Sequence, residues 1–463
     1  METVIILVFI GGYLAITLEH NIKIDKLIPA LVMMAISWAL ISLGIDDFSQ
    51  WFDSAKHSLM DNFGMLDHEE KMHLMEETLL HHLGKTAEIL VFLLGAMTIV
   101  EIIDYFDGFS TIKSAVKFNS RKKLLWMFSI LAFILSAIID NLTATIVLIS
   151  ILQKIVKDRD IRIWYAGLII IAANAGGAWS PIGDVTTTML WIGDKVSTGK
   201  LFMYLFVPSL LCMVVPTFIA SLLKPFKGEL ELQAADDKPR NKFSSTMLFL
   251  GLGAIVFVPI FKVITHLPPY VGMMLSLGVV AIFAEIYSNS KFAISSAVSE
   301  EHHAHSSHSP VHYSLSKIEL PSILFFLGIL MAVAALESLG ILFGFADSLK
   351  DNIGLLGTEP AGTVVSDLVV VLLGFGSAVI DNVPLVAASL GMFSESLDNP
   401  LWHFIAYSAG TGGSMLIIGS AAGVVAMGME KIDFFWYLRK ISWLALVGFL
   451  AGAVAFIATR ALI

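Results

Sequence analysis

Twelve hydrophobic blocks run along this chain, at 3–18, 27–44, 87–104, 124–156, 163–193, 201–223, 246–261, 269–287, 320–346, 364–397, 401–428 and 440–461. About 20 mostly apolar residues carry a helix across the hydrocarbon core, so the chain is read as an all-α polytopic membrane protein. Four blocks are of a different kind: they run 28 to 34 residues and are interrupted by polar sequence. The interruptions are Asp140-Asn141 in 124–156, Ala175-Gly176-Gly177 and Ser180-Pro181-Ile182-Gly183-Asp184 in 163–193, Asp381-Asn382-Val383-Pro384 in 364–397, and Gly410-Thr411-Gly412-Gly413-Ser414 in 401–428. Such a block is too long for one straight crossing and too short for two. It suits a re-entrant hairpin (124–156, 364–397) or a broken helix (163–193, 401–428). Irregular backbone is tolerated at membrane depth only where protein or a water-filled cavity covers it.

The composition excludes several classes. Of 463 residues, 56% are hydrophobic and 15% charged, against about a quarter charged in a soluble protein. A soluble enzyme, a disordered chain and a secreted disulfide scaffold are ruled out; the single cysteine, Cys212, cannot form an intrachain bridge. The net charge is −10 and the basic residues are dispersed, which argues against nucleic acid. The first apolar run starts at residue 3 with no basic n-region and no small-residue cleavage site after it, so a retained helix is expected, not a signal peptide.

The breaks resemble one another. Ser136–Asn141 matches Ser377–Asn382 at five of six positions, 241 residues apart, and 173–183 matches 409–419 at five of eleven, 236 apart. Phe92-Leu93-Leu94-Gly95 resembles Phe325-Phe326-Leu327-Gly328 at 233, a register that sets Asp104 opposite Glu337. Nearly constant offsets in one order point to an internal duplication. Basic residues favour the cytoplasmic side. They crowd 105–123, 154–162 and 224–242, whereas 45–86 holds nine acids and three lysines. Both flanks of 124–156 are then inside, as for a hairpin, and 364–397 opens outside. The expected architecture is two inverted repeats, each with a re-entrant hairpin and a broken transmembrane helix, an arrangement found in many secondary transporters. The N-terminus is placed outside, and the loop 288–316 inside.

A carboxylate at the bilayer centre costs at least about 2.5 kcal/mol, so it is functional or paired by default. Asp140, Asp184 and Asp381 stand at the breaks. A helix-capping aspartate is the plainer reading of each. Against it, the same stretches hold many neutral oxygen donors, among them Asn141, Thr143, Asn174, Thr186, Thr187, Ser377, Asn382, Ser414 and Ser420. Hard cations select oxygen ligands. The expected site is for an alkali cation, with Na+ held by Asp140, Asn141, Asp184, Asp381 and Asn382 and with protons competing for the carboxylates; no cofactor is called for. Gly176-Gly177 and Gly412-Gly413 allow close backbone approach. Glu88, Glu101, Asp104 and Glu337 read either as solvated helix ends or as a proton path supporting the site. His57, His68, His73, His81 and His82 lie in an amphipathic stretch read as an outer cap, and His302-His303-Ala304-His305-Ser306-Ser307-His308 in a linker.

These residues resemble a known family. Asp140-Asn141-Leu142-Thr143-Ala144-Thr145, the string Asn174 to Trp191 and Asp381-Asn382-Val383-Pro384-Leu385 resemble the NhaD-type sodium/proton antiporters of the ion transporter superfamily, from about residue 82 to the C-terminus. The resemblance implies exchange of sodium or lithium for protons across a bacterial inner membrane. It also implies a scaffold and a transport domain, usually in a homodimer within the lipid bilayer, moving in an elevator-like way. On this basis 1–44 and 246–287 are scaffold helices, 45–86 an extracytoplasmic insertion, 87–223 and 320–463 the repeat cores, 224–245 a cytoplasmic linker and 288–319 a His-rich cytoplasmic loop. The insertion and the His-rich loop are departures from the family's pattern.

Two other functions compete. A sodium-coupled symporter of dicarboxylate, citrate or another divalent anion would share the fold. Such carriers have Ser-Asn-Thr at their hairpin tips, where this chain adds an acid at each, and no Lys or Arg lies in the four breaks. An intramembrane metal-dependent enzyme would need histidines clustered inside a span, and here they fall in loops or at block ends, as His403 does.

Overall fold

The computed structural model describes residues 1–17, 22–53, 58–60, 62–113, 120–230, 242–295, 309–342, 344, 366–379 and 382–462. Among them, seven helices are long and apolar enough to cross a membrane: His68–Tyr105, Arg121–Ile139, Thr198–Ala220, Ser244–Thr265, Pro269–Ser288, Leu320–Ser338 and Ser442–Leu462. Glu2–Thr17 and Leu27–Leu43 are apolar helices of 16 and 17 residues. Ser244–Thr265 and Pro269–Ser295 leave Phe249, Ile260, Ile264, Ile282 and Ile286 exposed, a belt suited to lipid. The fold is that of an all-helical, multi-pass membrane protein, as the hydrophobic blocks require.

The boundary expected at residue 86 does not exist as a break. One helix of 38 residues, His68–Tyr105, runs from the polar cap into the membrane part, about 57 Å at 1.5 Å per residue. It starts on a capping box: Asp67 Oδ1 accepts from the Glu70 N–H at 2.8 Å, and Glu70 Oε2 accepts from the Asp67 N–H at 3.2 Å. Two orphan donors of the first turn are thereby satisfied. No proline interrupts the helix beyond that turn, and an added Cβ at Gly84 would meet open space. The cap before it is packed, with Trp51 stacked on Phe63 at 5.2 Å and its indole N–H donating to Thr78 Oγ1 at 3.2 Å. A two-residue ladder, Phe52–Asp53 with Ser58–Leu59, closes it.

Each of the four long blocks breaks where its polar sequence stands. Arg121–Ile139 and Asn141–Ile155 are separated by Asp140 alone and pack on each other as the first hairpin. Asp140 takes φ +81° and ψ 159°, a conformation favouring glycine that costs an aspartate about 1–3 kcal/mol. The second hairpin is Asp367–Val379 and Asn382–Met392; Asp381 lies outside the described residues, as do His57 and His302–His308. The first broken helix is Arg159–Gly177 and Val185–Ile192; the second is Pro400–Gly412, a short 3-10 turn, and Ala421–Glu430.

The packing is crossed. Ala421–Glu430, the far half of the second broken helix, packs on Asn141–Ile155 and Arg159–Gly177. Val185–Ile192, the far half of the first, packs on Asn382–Met392 and Pro400–Gly412. Local geometry recurs at the offsets of the sequence matches. Ser136 Oγ donates to the Ala173 carbonyl at 2.5 Å, and Ser377 Oγ to the Ala409 carbonyl at 2.6 Å. Asp184 sits at φ −150°, ψ 145° and Ser420 at φ −148°, ψ 152°, and each caps the helix after it.

Close approach explains both glycines of each pair: a Cβ on Gly177 would run into the Gly183 carbonyl and one on Gly413 into the Gly419 carbonyl. A Cβ on Gly176 would run into the Phe133 carbonyl, and one on Gly412 into the Gly374 carbonyl; both obstacles are backbone and cannot swing aside. Gly176→Ala and Gly412→Ala should each destabilise the purified protein by roughly 1–3 kcal/mol. Gly278→Ala, where nothing lies within 4 Å, should not. Thermal unfolding in detergent measures the difference.

Candidate cation site

The four breaks meet in one buried polar network centred on Asp184, which is 2% exposed. As N-cap of Val185–Ile192, its Oδ1 accepts from the Thr186 N–H at 2.9 Å and the Thr186 hydroxyl at 2.8 Å. The tip of the first hairpin adds Asn141, whose Nδ2 donates to Asp184 Oδ2 at 2.7 Å. The tip of the second adds Asn382, whose Nδ2 lies 3.3 and 3.1 Å from Oδ1 and Oδ2. Asn141 Nδ2 also donates to Asn174 Oδ1 at 3.0 Å, and Asn174 Nδ2 donates to Ser414 Oγ at 2.8 Å and Ser420 Oγ at 2.9 Å. All of these side chains are buried.

Asp140 stands at the edge, half-buried, within electrostatic reach of Asp184. It accepts from the Thr143 N–H at 2.7 Å and hydroxyl at 2.8 Å. This is an N-cap, the plainer reading of its sequence position, and its donors all belong to the turn it caps. The C-terminal carbonyls of Arg159–Gly177 and Pro400–Gly412 end at the breaks, where helix dipoles favour a cation. Thr187 and Ser377 face elsewhere: the Thr187 hydroxyl donates to the Asp184 backbone carbonyl at 2.9 Å, and Ser377 is bound to Ala409. Glu88 and Glu101 are half-buried and Asp104 exposed on His68–Tyr105, a helix packed mainly on Pro269–Ser295 and Leu320–Ser338. The network's bonds are made without these three acids. Glu337 lies against Gly391 in the second hairpin, where a Cβ would come within 3.1 Å of its Oε2.

Two clasps hold the crossed halves. At one end Arg162 Nε donates to Glu430 Oε1 and Oε2 at 3.0 and 3.1 Å, with the Glu430 side chain 1% exposed. Arg162 Nη1 also donates to the carbonyls of Val156 and Lys157 at 3.0 and 2.8 Å. Arg159 donates to the Glu430 and Lys431 carbonyls at 3.1 and 2.6 Å, closing that helix end. At the other end the Asp398 N–H donates to the Lys195 carbonyl at 2.9 Å, and Asp398 Oδ1 accepts from the Ser197 N–H at 2.7 Å. His403 Nε2 is 3.4 Å from the same oxygen, its ring stacked on Tyr204 at 4.5 Å. Burial pushes the Asp398 carboxyl up, but His403 and the Ser197 N–H and hydroxyl outweigh it and hold the group at about 2. It is therefore ionised at any working pH.

Comparison with known proteins places the chain in a family. The family model described as citrate transporter matches residues 6–399. Sodium/proton antiporter 1 of Arabidopsis thaliana is 41% identical over 98% of this chain and 72% of its own length. The Na(+)/H(+) antiporter NhaD of Vibrio parahaemolyticus is 34% identical over 79% of this chain and 89% of its own. The chain belongs to the citrate-transporter family and to its NhaD-type antiporters. Among solved structures the YdaH transporter of Alcanivorax borkumensis superposes with a TM-score of 0.56 at 13% identity, covering 94% of this chain and 97% of that one. That likeness concerns the fold alone. The antiporter relatives come from a plant as well as from bacteria.

Sequence reasoning misses the clasps of this NhaD-type chain. Arg162 and Glu430 read in the sequence as loop and block-end charges, 268 residues apart, and only the crossed packing brings them together. Arg162→Ala would leave Glu430 buried without its partner, so a loss of about 3–5 kcal/mol is expected. The double variant Arg162→Ala/Glu430→Ala should recover part of it. Unfolding of the purified protein in detergent, compared with the more exposed Arg159→Ala, provides the check.

Proposed function

We propose that the chain exchanges Na+ for H+ across the membrane in which it sits, with the cation and the proton competing for the carboxylate of Asp140. The observation that carries the reading is the Asp140 carboxylate, bonded only within the turn it caps and lying at the edge of the network that joins both hairpin tips. Relatives named sodium/proton antiporters support it, and so does the donor set, which consists of carboxylate, amide, hydroxyl and freed carbonyl oxygens. The charge of the Asp140 carboxylate beside neutral oxygens suits a monovalent cation. A proton on Asp140 removes that charge, so loading one substrate expels the other. Asp381, at the equivalent position of the second tip, is proposed as a second carboxylate of the same kind.

The mechanism proposed is alternating access. Two inverted repeats, whose duplication is supported by the paired Ser136/Ser377 and Asp184/Ser420 geometries, carry the hairpins between an inward and an outward state. Lithium as a second substrate, a homodimer, a bacterial inner membrane, an outside N-terminus and the scaffold and core boundaries at 1–44, 87–223, 246–287 and 320–463 belong to this proposal. Transport of citrate, the substrate in the matching family model's description, is less well supported. Among the described residues no Lys or Arg side chain hydrogen-bonds the network, and a divalent anion would meet a buried carboxylate there.

The test uses inside-out vesicles from cells lacking other antiporters, acidified by respiration. Addition of sodium or lithium should collapse the proton gradient for the wild type. Asp140→Asn should reach the membrane and lose the response. If no alkali cation has any effect from mildly acidic to alkaline pH, the proposal fails, and sodium-driven uptake of labelled citrate is the measurement to make in its place.

A further inference from the structure

The two central aspartates do not do the same job. A carboxylate offers about four lone-pair sites. At Asp184 they are taken by the Thr186 N–H, the Thr186 hydroxyl, Asn141 Nδ2 and Asn382 Nδ2, all within 2.7 to 3.3 Å. A cation could bind this carboxylate only by displacing one of these donors. At Asp140 the donors all belong to the turn it caps: two bonds come from Thr143, with the Leu142 N–H beside them.

The donors at Asp184 have a direction. An ionised carboxylate can only accept, so each asparagine facing it must present its NH2 and turn its oxygen away. Asn141 is thus set with its second N–H on Asn174 Oδ1. That in turn sets Asn174 with its own NH2 on Ser414 and Ser420. One acceptor-only group orients three amides, two of them, Asn141 and Asn174, in a chain that reaches the second break. Among the described residues, Asn141 Oδ1 and Asn382 Oδ1 have no hydrogen-bond partner. They are the amide oxygens that the two hairpin tips hold ready.

We propose that Asp184 is a positioning residue: it does not bind the transported cation, but orients Asn141 and Asn382 so that their side-chain oxygens do. This rests on the exchange reading above, and deepens it by dividing the carboxylates into one that binds, Asp140, and one that orients. An asparagine at 184 could present either NH2 or oxygen, and would leave the amides free to turn.

The experiment measures the half-saturating sodium concentration against pH, in vesicles carrying the full chain. Asp184→Asn should raise it at every pH by roughly 10–100-fold, the usual effect of losing a group that orients a metal ligand. The slope of that concentration with pH should stay as in the wild type, because the competing proton sits elsewhere. Asp140→Asn should give no sodium response at any pH. If Asp184→Asn abolishes the slope, Asp184 is itself the proton and cation ligand and the proposal falls. Should Asp184→Asn fail to accumulate, Asn141→Ala and Asn382→Ala decide: each should raise the sodium requirement with the slope intact, and an unchanged requirement in both overturns the proposal. A wild type with no sodium response would instead refute the exchange reading.

Discussion

A buried carboxylate keeps its charge only when donors surround it, because the low-dielectric interior gives nothing back for the lost water. In this chain the donors around Asp184 come from three places: the turn it caps, the tip of the first hairpin and the tip of the second. That single requirement draws both hairpins to one point. It also explains why the breaks can exist inside a membrane at all. Freed N–H groups at the starts of Val185–Ile192 and Ala421–Glu430 are capped by Asp184 and Ser420. Tyr437 adds a hydroxyl to the Ser414 carbonyl at 2.8 Å. Irregular backbone at this depth is sustained by the protein around it.

The division of labour follows from geometry more than from residue type. Asp140 and Asp184 have the same side chain and both cap helices, yet one draws its bonds from a neighbour three residues on and the other from across the molecule. The strain at Asp140, with its positive φ, turns the chain within a single residue and leaves the carboxylate at the edge of the network. Strained backbone of this kind persists where surrounding structure over-determines it, and here the arms Arg121–Ile139 and Asn141–Ile155 do so by packing on each other.

Much of this is legible in the residues. The four breaks stand where Asp, Asn, Gly and Pro interrupt apolar runs, because those residues either cap helices or free backbone groups. Asn141, Asn174, Asp184, Thr186, Asn382, Ser414 and Ser420 are identifiable as polar groups that an apolar block has to justify. Their pairing is not. Nothing local tells Asn174 that its partners lie 240 and 246 residues ahead, nor Arg162 that Glu430 awaits it. Position in a break suggests Thr187 and Ser377 as ligands, but a hydroxyl beside a freed carbonyl satisfies that carbonyl first. The cap ends at residue 86 only if a change of composition is equated with a change of element. A helix continues across such a change when no residue there opposes it.

The crossed halves have a consequence for how the protein is made. Ribosomes deliver the first hairpin and first broken helix long before residues 382–430 exist. During that interval Asn174 lacks Ser414 and Ser420, Asp184 lacks Asn382, and Arg162 has no carboxylate. The first half is a membrane segment with its polar groups unmet, and it must wait, shielded by water or by the insertion machinery, until the second half emerges. The helices of 382–430 therefore close the molecule, and a nascent chain stopped before them would be recognisable to quality control by the charges it leaves bare.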